Sequence, residues 1–301
     1  MKVLPLTALL FVITQACNSQ DQTAPSGVAH FNYDRAQPLA WESRSDGVVN
    51  GVESQTISFA SPKGGRATGM LLVPSGPGPF AGIVLMHGMP GTARQMEGMG
   101  VELARRGAVV IAIDAPWART GSVINWDARD SANQVQLIVD LQRAVDVLLA
   151  RDDVDRSRLA YVGVSYGGAM GGLFAGVERR LATYVLRVGD GGLVAHFTSA
   201  GDPPTPPGVS DAAWQAWRAA MEPIEPIRFI GRATAPLFFQ NGEQDVLVPP
   251  ADARAYHAAA GANKKITWYP AGHGLNQQAN VDMYDWLNQK VGMQLMAMAT
   301  P

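Results

Sequence analysis

A serine between two glycines is the residue of this chain best suited to nucleophilic chemistry. It lies in Gly163-Val164-Ser165-Tyr166-Gly167, after a strand-like run at 158–162 and before small residues that can begin a helix. In a sharp turn from strand to helix the serine backbone is strained, and only residues without a Cβ fit close beside it. Such a turn raises the Ser165 hydroxyl above the sheet and places the Tyr166 N–H where it can stabilise an oxyanion. The pattern predicts a serine nucleophile, and the alternative is a glycine-rich turn with an incidental serine.

The general base that a serine nucleophile requires is predicted to be His273. This histidine lies in Ala271-Gly272-His273-Gly274, directly after the last predicted strand and therefore at the carboxyl edge of the sheet. A purely structural role in that turn is the alternative. The other histidines are predicted in an N-terminal arm, at a strand end, in an inserted segment and within a helix: His30, His87, His196 and His257.

An acid that orients the base is expected between the serine and the histidine in the chain. Asp245 follows the penultimate predicted strand, within the segment 240–249, and is the predicted acid. Asp190 is the alternative, because it follows the preceding strand, where some serine enzymes carry their acid. Glu243 is expected to be a helper or a turn residue. The order Ser165, Asp245, His273 thus predicts a Ser-Asp-His triad.

A second oxyanion donor is predicted on the loop after the third predicted strand. This loop reads His87-Gly88-Met89-Pro90-Gly91. Pro90 has no N–H to donate, so the Met89 N–H is the expected partner of the Tyr166 N–H. His87 is expected to brace the turn rather than to take part in chemistry.

Aromatic residues near these segments predict an apolar wall for the substrate. Trp117 follows the fourth predicted strand, and Trp214 and Trp217 lie in the inserted segment. Such a wall favours a modest acyl or aryl group, and core packing is the alternative for all three tryptophans. Arg119 could hold an anionic substrate, although a surface salt bridge is the simpler interpretation.

The elements that must position these residues alternate between strand and helix. A predicted hairpin at 55–60 and 67–73 comes first, and the apolar runs at 82–87 and 108–114 predict strands buried on both faces. Further strands are predicted at 158–164, 183–188, 235–240 and 265–269, with helices at 93–106, 131–149, 251–260 and 280–289. This α/β pattern predicts a mainly parallel sheet with helices on both faces and a ligand site at the carboxyl ends of its strands.

One segment is too long for a plain connection. Residues 189–230 include a proline-rich stretch at 202–208 and then a short helical run. We predict a small cap at about 190–230, inserted after the sixth strand and overhanging the site. The alternative is a surface excursion without a role in binding.

The N-terminal residues predict export. Residues 1–16 contain an apolar run at 3–13 that is too short to span a bilayer, as in a signal peptide. Cys17, the only cysteine, follows a small residue, and the arrangement resembles a bacterial lipoprotein signal in which that cysteine carries the lipid. Anchoring at the periplasmic face of the cell envelope is expected, with plain export or a cytoplasmic location as alternatives. Residues 17–54 are predicted to form a tether and arm, and residues 55–301 the folded domain.

Composition limits the partners and cofactors. The 301 residues are 47% hydrophobic with a net charge of −2, which provides a core but no basic field for nucleic acid. The sequence has no dinucleotide fingerprint, phosphate loop, His-Glu-x-x-His motif or cysteine pair. No cofactor and no metal are therefore predicted.

Taken together, the motifs resemble those of the α/β-hydrolase superfamily, in particular its dienelactone-hydrolase-like and acetyl-esterase-like members. The resemblance covers about residue 55 to the C-terminus, in Leu85-Met86-His87-Gly88, Asp114-Ala115-Pro116, Asp153-Val154-Asp155, Gly163-Val164-Ser165-Tyr166-Gly167-Gly168, Asn241-Gly242-x-x-Asp245 and Gly272-His273-Gly274. True dienelactone hydrolases use a cysteine where this chain has Ser165. The resemblance implies an α/β-hydrolase fold and hydrolysis of small or medium carboxylic esters through an acyl-enzyme on Ser165.

The serine motif also resembles the catalytic domain of prolyl-oligopeptidase-type peptidases. Those enzymes carry a propeller domain, and no segment of this sequence is long enough to build one. A peptidase or amidase is therefore the alternative function, followed by a catalytically silent lipoprotein that binds a ligand. The predicted partner is a small-molecule ester, with no nucleic acid and with membrane contact only through the lipid anchor.

Overall fold

The computed structural model describes residues 27–198 and 205–295. Within these ranges the strands form a single nine-stranded sheet in the order β1-β2-β3-β5-β4-β6-β7-β8-β9. The strands are β1 (Glu42–Val49), β2 (Val52–Ala60), β3 (Arg66–Pro74), β4 (Phe80–Met86), β5 (Ala108–Ile113), β6 (Val154–Val164), β7 (Thr183–Arg187), β8 (Leu237–Gly242) and β9 (Lys264–Tyr269).

The sheet is parallel from β5 through β4 and β6 to β9, while β1, β2 and β3 pair antiparallel and β3 runs antiparallel to β5. Every residue of β4 and β5 is buried, as their apolar runs predict. The helices are α1 (Glu97–Ala104), α2 (Pro116–Thr120), α3 (Ala128–Leu149), α4 (Tyr166–Val177), α5 (Leu193–Thr198), α6 (Asp211–Met221), α7 (Pro250–Ala259) and α8 (Gln277–Val291). Among them, none has both the length and the apolar character needed to cross a membrane.

Alternate residues of the central strands enter two separate cores. Val84 and Met86 of β4 belong to a core formed with α3, α4 and α6. Ile83 and Leu85 belong to the core on the opposite face, formed with α1 and α8. Since a strand turns successive side chains to opposite faces, helices on both sides are required to bury β4 completely. The predicted fold class, a mainly parallel sheet covered on both faces, is confirmed.

The first strand, β1, was not predicted from the sequence. β1 lies in the segment 17–54 that we predicted to be a tether and arm, yet it pairs with β2 from Glu42↔Ser58 to Val49↔Val52. All of its residues are exposed. A strand with polar residues on both faces shows neither alternation nor an apolar run, so the sequence pattern had no signal for it. The sheet therefore begins before residue 55.

The inserted segment between β7 and β8 carries α5, α6 and three short 3₁₀ turns. It follows the seventh strand rather than the sixth because β1 adds one strand at the start. Residues 199–204, which include the start of the proline-rich stretch, lie outside the described residues. The predicted signal peptide at 1–16 and the predicted lipidation site Cys17 also lie outside them.

Candidate active site

Ser165 lies at the turn between β6 and α4. Its backbone has φ 57° and ψ −117°, a combination that residues with a Cβ rarely adopt. The Ser165 N–H donates to Arg187 O at 2.8 Å, and the Ala169 N–H donates to Ser165 O at 2.9 Å. Backbone strain that is fixed by neighbouring bonds in this way is typical of functional sites. Here it holds the serine at the carboxyl edge of the sheet.

The two glycines of the motif allow this turn to pack tightly. A Cβ on Gly163 would overlap the carbonyl of Gly167. A Cβ on Gly167 would lie 2.5 Å from Met86 O and 2.9 Å from His87 O. The first turn of α4 therefore packs directly on the end of β4, and side chains are excluded at both glycines as the sequence predicted.

Gly167→Ala is expected to lower the free energy of unfolding by about 1–3 kcal/mol, because the new Cβ meets main-chain oxygens that cannot rotate away. Gly98 in α1 is the matched control, since a Cβ there meets nothing within 4 Å. Gly98→Ala should leave stability unchanged or raise it slightly. Denaturant unfolding of both variants measures the difference. Equal stabilities would contradict tight packing at this turn.

His273 and Asp245 form a hydrogen-bonded pair. His273 Nδ1 lies 2.7 Å from Asp245 Oδ2, and the side chains are 22% and 1% exposed. Asp245 Oδ1 accepts from the Leu247 and Val248 N–H groups, each at 2.9 Å. With the carboxylate fixed as an acceptor, the proton of neutral His273 belongs on Nδ1, which leaves the Nε2 lone pair available to accept a proton.

Asp190, the alternative acid, contacts a different histidine. Its Oδ2 lies 2.7 Å from His196 Nδ1, and its Oδ1 accepts from the Gly192 N–H at 3.1 Å. Of the two aspartates considered as the acid that orients His273, only Asp245 is hydrogen-bonded to it. The serine, both histidines and Asp190 all border the same cavity.

This cavity has a volume of about 430 Å³ and lies at the carboxyl ends of the strands. Its apolar wall comes mainly from the β4–α1 region, from α4 and α5, and from the loop after β8: Met89, Met96, Ala169, Met170, Leu193, Phe197, Leu247 and Val248. Ser165 and His273 both line it. A cavity of this size with few polar groups is typical of small-molecule sites.

The two residues predicted to donate to the oxyanion belong to two different elements that meet at the cavity. Met89 and Tyr166 both line the cavity. Tyr166 is the first residue of α4, so its N–H has no acceptor one turn earlier within the helix. Gly88 brings the Met89 loop close to the serine, since a Cβ on Gly88 would lie 3.0 Å from Ser165 Cβ.

His87 braces the loop that carries Met89. Its Nε2 accepts from the Ala115 N–H at 3.1 Å, so its Nδ1 carries the proton and donates to Gly88 O at 2.7 Å. Burial lowers the pKa of this imidazole. Nδ1 thus fixes the turn after β4, and Nε2 joins this turn to the segment after β5, in agreement with the structural role expected from the sequence.

The three tryptophans predicted to contact substrate are not among the described residues that line the cavity: Trp117, Trp214 and Trp217. All three are buried. Trp117 packs edge-on against His87 and Tyr166, with ring centroids 5.3 and 5.9 Å away. Trp214 and Trp217 belong to α6 of the inserted segment, and their rings stack on each other with centroids 5.2 Å apart. They form core, because their side chains turn inward and the cavity wall is made by smaller residues.

Arg119 is also directed away from the cavity. Its guanidinium donates to Asp114 O at 2.7 Å, and one of its nitrogens lies 2.8 Å from a carboxylate oxygen of the buried Asp140. The interpretation as an ion pair is therefore correct, but the pair is buried rather than on the surface. An anionic substrate in the cavity would not meet this residue.

Two residues with a part in the structure of the inserted segment were not singled out from the sequence. Phe197 lines the cavity and packs on Trp126 at 5.0 Å. Glu225 is buried, and its Oε2 accepts from the Val194 and Ala195 N–H groups at 3.1 and 3.2 Å. Burial raises the pKa of Glu225 to about 8. Glu225 is far from α5 in the sequence, so no local sequence pattern could predict this contact.

Comparison with known structures identifies the fold. Acetyl xylan esterase from Paenibacillus sp. R4 has a TM-score of 0.71 at 18% identity, over 87% of this chain and 91% of that chain. Acetyl Xylan Esterase 1 from Thermoanaerobacterium sp. JW/SL YS485 has a TM-score of 0.69 at 16% identity, over 87% and 91%. An acylaminoacyl peptidase has a TM-score of 0.60 at 15% identity, over 83% of this chain and 43% of that chain. The fold is that of the α/β-hydrolases, as the sequence motifs predict.

The family follows from the sequence itself. The model of the prolyl oligopeptidase family matches residues 101–294, a range that includes Ser165, Asp245 and His273. The chain belongs to the prolyl oligopeptidase family, and it is a hydrolase of the serine α/β-hydrolase type. A search of curated protein sequences finds no significant match.

Proposed function

We propose that this protein hydrolyses carboxylic esters with small or medium acyl or aryl groups through an acyl-enzyme on Ser165. One observation carries the proposal: the strained serine and the histidine held by a buried carboxylate open into the same apolar cavity. A nucleophile, a base and an orienting acid in this arrangement are the requirements of acyl transfer.

The proposed first half-reaction begins when Ser165 Oγ attacks the ester carbonyl carbon and His273 Nε2 accepts its proton. Asp245 stabilises the imidazolium through Nδ1, and the N–H groups of Met89 and Tyr166 bind the tetrahedral oxyanion. His273 then returns the proton to the leaving alcohol. Water repeats the sequence on the acyl-enzyme and releases the acid.

The cavity supports a substrate of modest size. About 430 Å³ accommodates a short acyl chain or one aromatic ring, and its wall gives such groups an apolar surface. The tryptophans that we expected to bind substrate are absent from this wall among the described residues. The methionines, Leu193 and Phe197 take their place, and flexible methionine side chains tolerate several acyl shapes.

Peptide or amide hydrolysis is the second candidate, and the family match favours it. The same serine and histidine can cleave either bond, because the tetrahedral intermediates are alike. An amide differs in its poorer leaving group, which must be protonated as it departs.

The test compares para-nitrophenyl esters from acetate to decanoate with peptide para-nitroanilides on the purified protein. We expect turnover of esters with an optimum at a short or medium chain and little turnover of anilides. Faster cleavage of the anilides would replace the esterase proposal with the peptidase one. No turnover of either class would contradict both.

A further inference from the structure

A second cavity lies beside the one that contains Ser165, and the proposed ester chemistry does not use it. Its volume is about 250 Å³, and we call it the second cavity and the one with Ser165 the catalytic cavity. Residues that follow β4 and residues that follow β5 form its wall, chiefly Pro90, Thr92 and Gln95 together with Trp117, Ala118 and Val123. Among the described residues, none that lines it is charged. The second cavity therefore suits an uncharged group.

The boundary between the two cavities consists of Pro90 and Gln95, because these two residues line both. The ring of Pro90 is joined to the main chain of the loop that carries Met89. Gln95 lies in the short 3₁₀ turn Ala93–Met96, and its side chain is long and flexible. The Gln95 side chain is thus the part of the boundary that a substitution removes without a change in the main chain.

The Gln95 side chain folds back over the loop that carries Met89. A Cβ on Gly91 would lie 2.8 Å from Gln95 Oε1, so the amide lies against the main chain at Gly91. Gln95 is also exposed, so shortening it creates no closed space in the core. Substitutions at such positions usually leave the free energy of unfolding almost unchanged. A change in specificity at Gln95 is therefore separable from a change in folding.

The order of the strands decides which half of an ester meets the second cavity. β4 and β5 lie on one side of β6, which Ser165 follows, whereas β8 and β9 lie on the other side. Asp245 and His273 follow β8 and β9. In the proposed mechanism His273 protonates the leaving alcohol, so the alcohol half lies on the side of β8 and β9. The acyl half is then directed towards the loops after β4 and β5, which form the second cavity.

We propose that Gln95 is a specificity-determining residue whose side chain separates the two cavities and thereby limits the length of the acyl chain that the enzyme accepts. This inference rests on the proposed ester hydrolysis and names its substrate class: esters of uncharged acyl chains that end within the catalytic cavity. A longer chain meets the Gln95 side chain and keeps its distal methylene groups in water. Without that side chain, the distal methylene groups enter the second cavity.

The test compares kcat/KM for para-nitrophenyl octanoate with kcat/KM for para-nitrophenyl butyrate, and the readout is the ratio of octanoate to butyrate. Gln95→Ala removes the boundary, whereas Gln95→Met keeps a side chain of similar length without the amide. Gln215→Ala is the matched control, because Gln215 is an exposed glutamine of α6 that is not among the residues lining either cavity. Thermal unfolding of each variant verifies that it is folded.

We expect the ratio to rise at least about 10-fold in Gln95→Ala, because each methylene group that leaves water contributes up to about fourfold. Gln95→Met and Gln215→Ala should leave the ratio within about twofold of the unmodified protein. Val123 lines only the second of the two cavities, and a phenylalanine there reduces the space in it. Val123→Phe should therefore cancel the gain when it is combined with Gln95→Ala, and should leave the ratio unchanged by itself.

Three results would overturn the inference. The first is an unchanged ratio in Gln95→Ala. The second is a gain that persists when Val123→Phe is added, because the chain would then lie elsewhere. The third is an equal gain in Gln95→Met, which would assign the effect to the lost amide and not to the boundary.

Failure of the proposed ester hydrolysis is recognised separately, because the unmodified protein would then hydrolyse neither ester. Methyl para-nitrophenyl phosphonates with a butyl or an octyl chain cover that case, since they label an activated serine without turnover. The Ser165 oxygen forms a bond to phosphorus, its proton goes to His273, and para-nitrophenolate leaves with the electron pair. A ratio of labelling rates, octyl over butyl, that rises at least about 10-fold in Gln95→Ala supports the inference. An unchanged ratio or the absence of labelling contradicts it.

Discussion

Ser165→Ala is expected to lower kcat/KM for a short para-nitrophenyl ester by at least about 10⁴-fold, because the attacking oxygen is removed while the rest of the site remains. The folded state should persist. The unusual backbone of Ser165 is fixed by main-chain bonds to Arg187 and Ala169, which alanine can also make. Ester kinetics and thermal unfolding of the variant measure both effects.

The control for this variant is Ser43→Ala, which removes a hydroxyl from an exposed position of β1. It should retain full activity and full labelling by a fluorophosphonate, a probe that reacts with activated serines. Ser165→Ala should lose the labelling together with the activity. Retained hydrolysis with lost labelling, or the reverse, would contradict a single role for Ser165 as nucleophile.

The strands of the central sheet were predictable because strands that are buried on both faces consist of consecutive apolar residues. β4 and β5 are continuous apolar runs, and their neighbours on both faces are helices with apolar stripes. β1 has no such apolar run, since every residue of Glu42–Val49 is exposed. The strand is held in place by its pairing with β2. Backbone pairing of this kind depends on a partner strand and not on local sequence.

The positions of Ser165, Asp245 and His273 were predictable for a topological reason. Each follows a parallel strand, and parallel strands deliver the residues after their carboxyl ends to one edge of the sheet. Side-chain direction within the insertion had no such constraint. Trp214 and Trp217 turned into the core, while His196 and Phe197 turned to the cavity. Contacts that depend on distant partners, as with Glu225 and α5, are decided by tertiary packing alone.

Asp245→Asn is expected to lower kcat by about 10⁴-fold while the protein stays folded. Asp245 Oδ1 accepts from the Leu247 and Val248 N–H groups, and the oxygen of an asparagine amide can keep both bonds. The amide NH₂ then occupies the position of Oδ2, 2.7 Å from His273 Nδ1, and can only donate. Nδ1 must become an acceptor, so the ring proton moves to Nε2, the atom that has to receive the proton of Ser165. Pre-steady-state ester hydrolysis measures the loss in the acylation step.

The matched control is Glu243→Gln, two residues earlier on the same loop. Glu243 is exposed, so the same change of carboxylate to amide there should leave kcat within a factor of about two. If the substitution acted by disturbing the loop, kcat would fall in both variants. If it acts by changing the tautomer of His273, kcat should fall only in Asp245→Asn. Retention of more than a tenth of the activity in Asp245→Asn, with a larger loss on neutral esters in Asp190→Asn, would transfer the orienting role to Asp190. Because His273 is hydrogen-bonded to Asp245 and His196 to Asp190, we expect the opposite order.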